Sequence, residues 1–343
     1  MAMGIERREW ASQATASPPQ PFRFPTPDSP FPAFRWPLRA AAGDNAPMDS
    51  SSFDAHHIRR AFSRAAASYD AAAALQHEVE KRLLESLDYL GDRVPQVVLD
   101  VGSGPAHAAA TMKKRWPRAQ VIALDQALPM LQQAKRQAGW WKPFGRVCAD
   151  ARALPLAEHS VDVIFSNLCL QWVEDLPAVF AGFRRVLKPG GLLLCSSFGP
   201  DTLVELREAF AQADREAPHV SRFAPIAQFG DALMLSGFRD PVLDRDLFTL
   251  TYPDLAALMR ELRAIGATNA LHARRHTLTG RGRFAAASAA YEPLRNADGK
   301  LPSSWEVIYA HAWAPPPGAP IREGGNEIAA VPVSAIPIRR RGD

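Results

Sequence analysis

Residues 97–110, VVLDVGSGPAHAAA, decide the fold. Val97, Val98 and Leu99 are apolar and strand-forming. Gly102 and Gly104 permit a tight turn at which a ligand can approach the main chain, and from Ala106 onward the sequence favours helix. Such a strand, glycine turn and helix is either a cofactor cradle or a plain structural corner. A dinucleotide fingerprint, G-x-G-x-x-G, needs a third glycine and a pyrophosphate over the helix N-terminus. Here the third position is His107, and Asp100 adds a carboxylate that repels a pyrophosphate. An acid at that point suits a cation, such as an amino group.

The next segments repeat the pattern. QVIALDQALPML at 120–131 reads as a strand ending in Asp125, with a helix over 129–137. Asp125 follows Asp100 at close to the interval that puts a carboxylate on ribose hydroxyls, and its two oxygens can accept both protons. The alternative is a simple helix cap. FGRVCADARALPL at 144–156 reads as a third strand ending in Asp150, beside Ala151. VDVIFSNLCLQWVED at 161–175 is a fourth strand feeding a loop with Asn167, Leu170, Gln171 and Trp172, at the sheet edge where open α/β folds bind ligands. Trp172 either meets the substrate or covers the sheet. A helix over 176–187 then stops at KPGG, and GLLLCSSFGP returns to the sheet. The alternation predicts an α/β fold, a doubly wound and mostly parallel sheet with helices on both faces.

Flanking segments differ in character. Residues 1–47 are proline-rich without apolar period and read as a disordered extension, with translation from Met48 or an organelle transit segment as the other readings. Residues 48–313 form the folded domain. Within it, 54–90 carry helical apolar spacing through Ile58, Phe62, Leu75, Val79, Leu83 and Leu87, with a break near Ser68 to Asp70. AFSRAAASYD at 61–70 is either a packing appendage or a lid, with Tyr69 as its pocket residue. DRDLFTLTY and SWEVIYAHAW alternate as strands, and 252–304 between them is a helical insertion that contains LAALMRELRAIG and then the basic stretch ARRHTLTGRGR. The tail, 314–343, has proline and glycine without period and reads as unstructured.

Composition excludes several classes. A net charge of +4 over 343 residues, with no Lys/Arg stripe interleaved with aromatics, argues against nucleic acid. No apolar run reaches the roughly 18 residues needed to span a bilayer. Cys148, Cys169 and Cys195 lack metal-ligand spacing, stand in strand-like apolar contexts and read as buried reduced thiols. With no secretory segment, they point to the cytoplasm.

D-x-G-x-G at 100–104, the strand-end acids Asp125 and Asp150, and RVLKPGG at 185–191 resemble class I S-adenosylmethionine-dependent methyltransferases. The resemblance covers about 50–313. It implies a Rossmann-like sheet of seven strands, with N-terminal helices and a helical insertion before the last strand. S-adenosylmethionine would be held by Asp100, Gly102, Gly104, Asp125, Asp150 and Ala151, with Asp100 at the amine, Asp125 at the ribose and Asp150 at the adenine.

Three further stretches, AFSRAAASYD, SFGPDTLVELREAF at 197–210 and GATNALHARRHTLTGRGRF at 266–284, resemble the malonyl-acyl-carrier-protein O-methyltransferases of biotin synthesis. PAH at 105–107 departs from the PGH usual in that family. The resemblance implies methyl transfer to the free carboxylate of a malonyl thioester, on carrier protein or coenzyme A. Tyr69, Trp172, Arg274 and Arg275 are then the expected substrate contacts, and Arg281 and Arg283 the expected carrier contacts. An ionised carboxylate needs no general base, so no acid/base residue is assigned, and His56, His57, His77 and His107 read as structural or surface residues. The rival readings are a quinone-type small-molecule methyltransferase and a non-methylating respiratory-complex assembly factor of the same fold.

Overall fold

The computed structural model describes residues 53–139, 143–277 and 280–316, and the backbone of 321–323 and 326–328. The expected extension over 1–47 lies outside the described residues. The chain order is α1 (Ala55–Ala65), α2 (Tyr69–Ala72), α3 (Ala74–Glu85), β1 (Val97–Val101), α4 (His107–Arg115), β2 (Gln120–Asp125), α5 (Leu128–Ala134), β3 (Gly145–Cys148) and β4 (Val161–Ser166). It continues with α6 (Leu176–Val186), β5 (Leu187–Phe198), α7 (Val204–Ala213), α8 (Ile226–Leu235), β6 (Arg239–Tyr252), α9 (Leu255–Ala264), α10 (Arg281–Tyr291) and β7 (Leu301–Trp313). Within the tail, Ile321–Glu323 and Asn326–Ile328 pair as a short antiparallel hairpin.

Seven strands form one sheet in the order β3-β2-β1-β4-β5-β7-β6. β1 pairs in parallel with β2 and β4, and β7 runs antiparallel to both β5 and β6. The order reverses at β1. The chain steps outward through β2 and β3, then returns to the other side of β1 as β4, so the loops after β1 and β4 diverge and leave a crevice between them.

Both faces of the sheet are covered. Strand alternation sends Leu99, Val101, Leu124 and Ile164 into a core with Phe180 and Phe183 of α6 and Phe229 of α8. Val98, Val121, Val163 and Phe165 pack on the opposite side with Leu83 of α3 and Met112 of α4. A third core joins the insertion to the sheet, through Leu258 and Leu262 of α9, Tyr291 of α10, Phe210 of α7 and Trp305 of β7. N-caps fix several helix starts. Asp54 accepts from the His57 N–H, Asp175 from Ala178 and Asp254 from Ala257.

Some expectations change in detail. The break in the N-terminal helices holds a separate short helix, α2. β3 ends at Cys148, leaving Asp150 in the loop beyond it. The α5 helix covers Leu128–Ala134 rather than 129–137, although its turns run on through the Gln137 N–H to the Ala134 carbonyl. KPGG does not merely stop α6. It opens β5, whose pairing with β4 jumps from Val161↔Leu187 to Val163↔Leu192, and Gly190 takes φ +71° within that irregularity.

The three thiols are not all buried. Cys195 is buried in β5, Cys169 is half-buried in the loop after β4, and Cys148 is exposed. β3 is an edge strand, so one of its flanks has no neighbour to cover it. Among the described residues, no helix is long and apolar enough to cross a membrane.

Candidate active site

The crevice at the reversal point opens into a cavity of about 270 Å³. Gly102, Gly104, Asp125, Asp150, Ala151 and Tyr69 all line it, together with Asn167 and Leu168 from the loop after β4. Gly102 has φ +69°, and a Cβ there would stand 2.5 Å from the side chain of Cys169. Only glycine fits where the two diverging loops come this close. Each loop also holds a left-handed non-glycine residue, Ala106 at φ 66° and Leu168 at φ 47°, so local strain is concentrated at this site.

Hydrogen bonds hold the cradle in shape. The Leu124 carbonyl accepts from the N–H groups of Gly102 and Ser103. Asp125 accepts from Gly104 N at 2.9 Å through Oδ2 and from Ala127 N at 2.7 Å through Oδ1. Each of its oxygens retains acceptor capacity for a ligand hydroxyl. Burial pushes the Asp125 carboxyl above its ordinary range, and these two N–H groups oppose the rise. Asp150 is engaged by the guanidinium and the N–H of Arg152, which together hold its carboxyl below the ordinary value. On the far side, Ser196 Oγ donates to Asn167 Oδ1 and accepts from Leu168 N, which fixes the loop after β4.

Asp100 does not lie where the sequence reading put it. It is 1 % exposed, it does not line the cavity, and its Oδ2 accepts from Ala109 N in the first turn of α4. The cause is strand alternation, which places Asp100 on the same face of β1 as Val98, under α3 and α4. Burial and the nearby Glu80 carboxylate push the Asp100 carboxyl well above its ordinary value, and burial raises Glu80 itself to about 7. Asp100 therefore ties α4 to β1 and stands behind the cradle instead of within it.

A second cavity, of about 330 Å³, adjoins the first. Trp172 lines both. Its ring stands edge-on to Phe62, with centroids 5.5 Å apart, and to Phe53 at 6.1 Å. Among the described residues its Nε1 is a buried donor without a partner, as is Nε1 of Trp305, and the Gln171 Oε1 is an unsatisfied buried acceptor. All three residues line the second cavity, along with Phe198, Phe223 and Met259. The chamber pairs an apolar wall with polar and cationic side chains, His57, His219, Arg263, Arg274 and Arg275 among them, a lining that suits a short acyl group ending in polar oxygens.

Arg274 and Arg275 line the second cavity, but both are ion-paired within the protein. Arg274 donates to Asp54 Oδ2 at 2.9 Å and to the Leu271 carbonyl. Arg275 donates to both oxygens of Asp214 and to Glu216. Arg283, an expected carrier contact, lies 3.6 Å from Asp214, whereas Arg281 is exposed at the start of α10. Arg263, exposed in the last turn of α9, also borders the cavity. Asp214 and Arg263 escaped the sequence reading. Neither sits in a motif, and it is the packing of α7 and α9 that brings them to the site.

A sheet of this order, with a glycine-turn cavity at its reversal point and a carboxylate at the end of β2, defines a class I S-adenosylmethionine-dependent methyltransferase. A family of methyltransferase domains matches residues 99–195, the span from β1 into β5. The malonyl-[acyl-carrier protein] O-methyltransferase of Xylella fastidiosa is 71 % identical over 289 residues, covering 84 % of this chain and 98 % of that protein. The protein of the same name from Gallionella capsiferriformans is 47 % identical over 276 residues, covering 79 % and 94 %. The chain belongs to the malonyl-[acyl-carrier protein] O-methyltransferase family. The fold is shared more widely: a methyltransferase-like structure from Bacillus halodurans matches with a TM-score of 0.50 at 17 % identity, over 68 % of this chain and 98 % of that one.

Proposed function

We propose that the protein transfers a methyl group from S-adenosylmethionine to the free carboxylate of a malonyl thioester carried on acyl-carrier protein, at the start of biotin synthesis in the cytoplasm. The observation that carries this reading is the pair of adjoining cavities with Trp172 as their common wall. One fits the cofactor and the other an acyl group. The residues present fit the cofactor: the Gly102 turn admits main-chain contact, and Asp125 keeps lone pairs free at the end of β2.

When bound, the cofactor supplies a sulfonium-activated methyl group. Transfer would form an oxygen–carbon bond in place of the carbon–sulfur bond, whose electron pair would remain on sulfur. No proton has to be removed, because a carboxylate is already ionised near neutral pH. The residues of this chain therefore act by placement. Gly102, Gly104, Asp125, Asp150 and Ala151 hold the nucleoside end. Tyr69 lines the cofactor side, Trp172 closes the junction, and the Trp172 indole N–H, unpaired among the described residues, donates to an acyl oxygen. Arg274 or Arg275 orients the malonyl carboxylate, and Arg281 and Arg283 meet the acidic carrier. The ion pairs of Arg274 and Arg275 moderate that grip, which keeps the acceptor oxygen nucleophilic.

The test is incubation with isotope-labelled S-adenosylmethionine and a panel comprising malonyl-carrier protein, malonyl-coenzyme A and a quinone precursor, with products identified by mass. Label on the malonyl carboxyl of the carrier substrate is the expected result. Label on the quinone precursor alone, or on none of them, overturns the reading.

A further inference from the structure

Asp70 of α2, His77 of α3 and His107 of α4 converge next to the cradle. His107 Nε2 lies 3.0 Å from Asp70 Oδ1, and the imidazoles of His77 and His107 stand edge to face, 5.0 Å apart at 89°. One donor atom from each of the three side chains lies within 4.8 Å of the other two. We propose that Asp70, His77 and His107 form a binding site for a divalent transition-metal cation of the Zn2+ class, which pins the N-terminal helices to the cofactor cradle.

The chemistry of the donors selects the ion. Two imidazole nitrogens and one carboxylate oxygen suit Zn2+, whereas Ca2+ and Mg2+ favour sets made wholly of oxygen. Zn2+ bonds of about 2.0–2.1 Å in a tetrahedron put neighbouring donors about 3.3 Å apart. The His107–Asp70 separation is already close to that value. The third donor, on His77, lies within 4.8 Å of the other two, and water would complete the fourth position. The side chains are partly open, His107 at 30 % and Asp70 at 50 % exposure, so an ion can enter from solvent.

The attachment of each ligand says what the ion does. Tyr69, which lines the cofactor cavity, immediately precedes Asp70. His107 opens α4 directly after the glycine turn, and Ala106 before it is completely buried. A bound cation therefore links α2, which begins at Tyr69, to the helix that follows the glycine turn, and fixes one wall of the cavity. The site is independent of acceptor identity. A bare carboxylate–imidazole pair needs only Asp70 and His107, whereas an ion also draws on His77, so loss of zinc affinity on replacing His77 separates the two interpretations.

The full-length protein, stripped with a chelator, is titrated with ZnCl2 by calorimetry and with CoCl2 by visible spectroscopy. The expected result is one ion per chain, a Co2+ spectrum free of a thiolate charge-transfer band, and affinity reduced by more than about tenfold in His77→Gln. Asp70→Ala, at an exposed position, gives the same loss if His77→Gln does not fold. Zn2+ should also slow proteolysis between α1 and α3 in the wild type and not in either variant. Unchanged zinc affinity in both variants overturns the proposal, as does binding abolished by Cys148→Ser, which would place the ion on the exposed thiol.

Discussion

Asp214 and Arg275, 61 residues apart in sequence, meet through two hydrogen bonds, Arg275 Nε and Nη2 donating to the two carboxylate oxygens at 3.0 and 2.9 Å. The Asp214 side chain is 2 % exposed and also takes a hydrogen bond from His219, whose ring stacks on Phe210 with centroids 4.4 Å apart. A single acid at the end of α7 thus anchors the basic stretch of the insertion at the rim of the second cavity.

The Arg275 hydrogen bonds, followed by that from His219, hold the Asp214 carboxyl well below its ordinary value of 3.8. A carboxylate depressed in the folded state stabilises the protein fully above the unfolded value, and that contribution is lost as pH falls through the folded one. Asp214→Asn should therefore lower the melting temperature at neutral pH. The gap from wild type should close as pH falls below about 4. Melting curves over an acid series check this, and a gap that stays constant with pH would show that the charge on Asp214 plays no part.

Asp125→Ala should weaken S-adenosylmethionine binding by about 1.5–3 kcal/mol, roughly ten- to a hundredfold. Asp125→Asn retains one carbonyl acceptor and should lose less. Calorimetry of the two variants measures the difference. Equal affinity to wild type in both would remove Asp125 from the ribose.

Gly102→Ala and Gly104→Ala form a contrasting pair. Both glycines have positive φ, but a Cβ at Gly102 meets Cys169 at 2.5 Å, while at Gly104 nothing among the described residues lies within 4 Å. Left-handed strain of about 1–2 kcal/mol applies to each, and overpacking adds about 1–3 kcal/mol at Gly102 alone. Urea unfolding should rank Gly102→Ala as the less stable, and Gly102→Ala with Cys169→Gly should recover part of the loss.

Arg274→Lys or Arg275→Lys should reduce turnover of the malonyl substrate with little change in S-adenosylmethionine affinity, because an ammonium cannot reproduce a bidentate guanidinium. Neutralising Arg281 and Arg283 should instead raise KM for the carrier protein and flatten its salt dependence. Steady-state kinetics at two ionic strengths separate the effects. If neither lysine variant alters turnover, the carboxylate is held elsewhere, with Trp172 Nε1 and Arg263 the next residues to test.

The sequence by itself determined the sheet and the crevice at its reversal point, with the glycine turn beside it. Those features are written in local signals: apolar strands, the glycines at 102 and 104, and the acid that ends β2, each of which acts within a few residues of its own position. What it left open was the direction and partnership of individual side chains. Asp100 stands in the right motif, yet its place in the pleat turns it under α4 and away from the cavity, where it accepts from Ala109. Arg274, Arg275 and Arg283 look like free cations in a basic run, yet each lies against an acid far away in sequence, Asp54 or Asp214. The second cavity is likewise assembled from the loop after β4, from α7, α9 and β7, and from the segment around Arg274. Strand and helix periods report which face is buried, but a charge finds its partner only through the packing of distant elements. Only the tertiary structure could decide which of these residues remain available to a ligand.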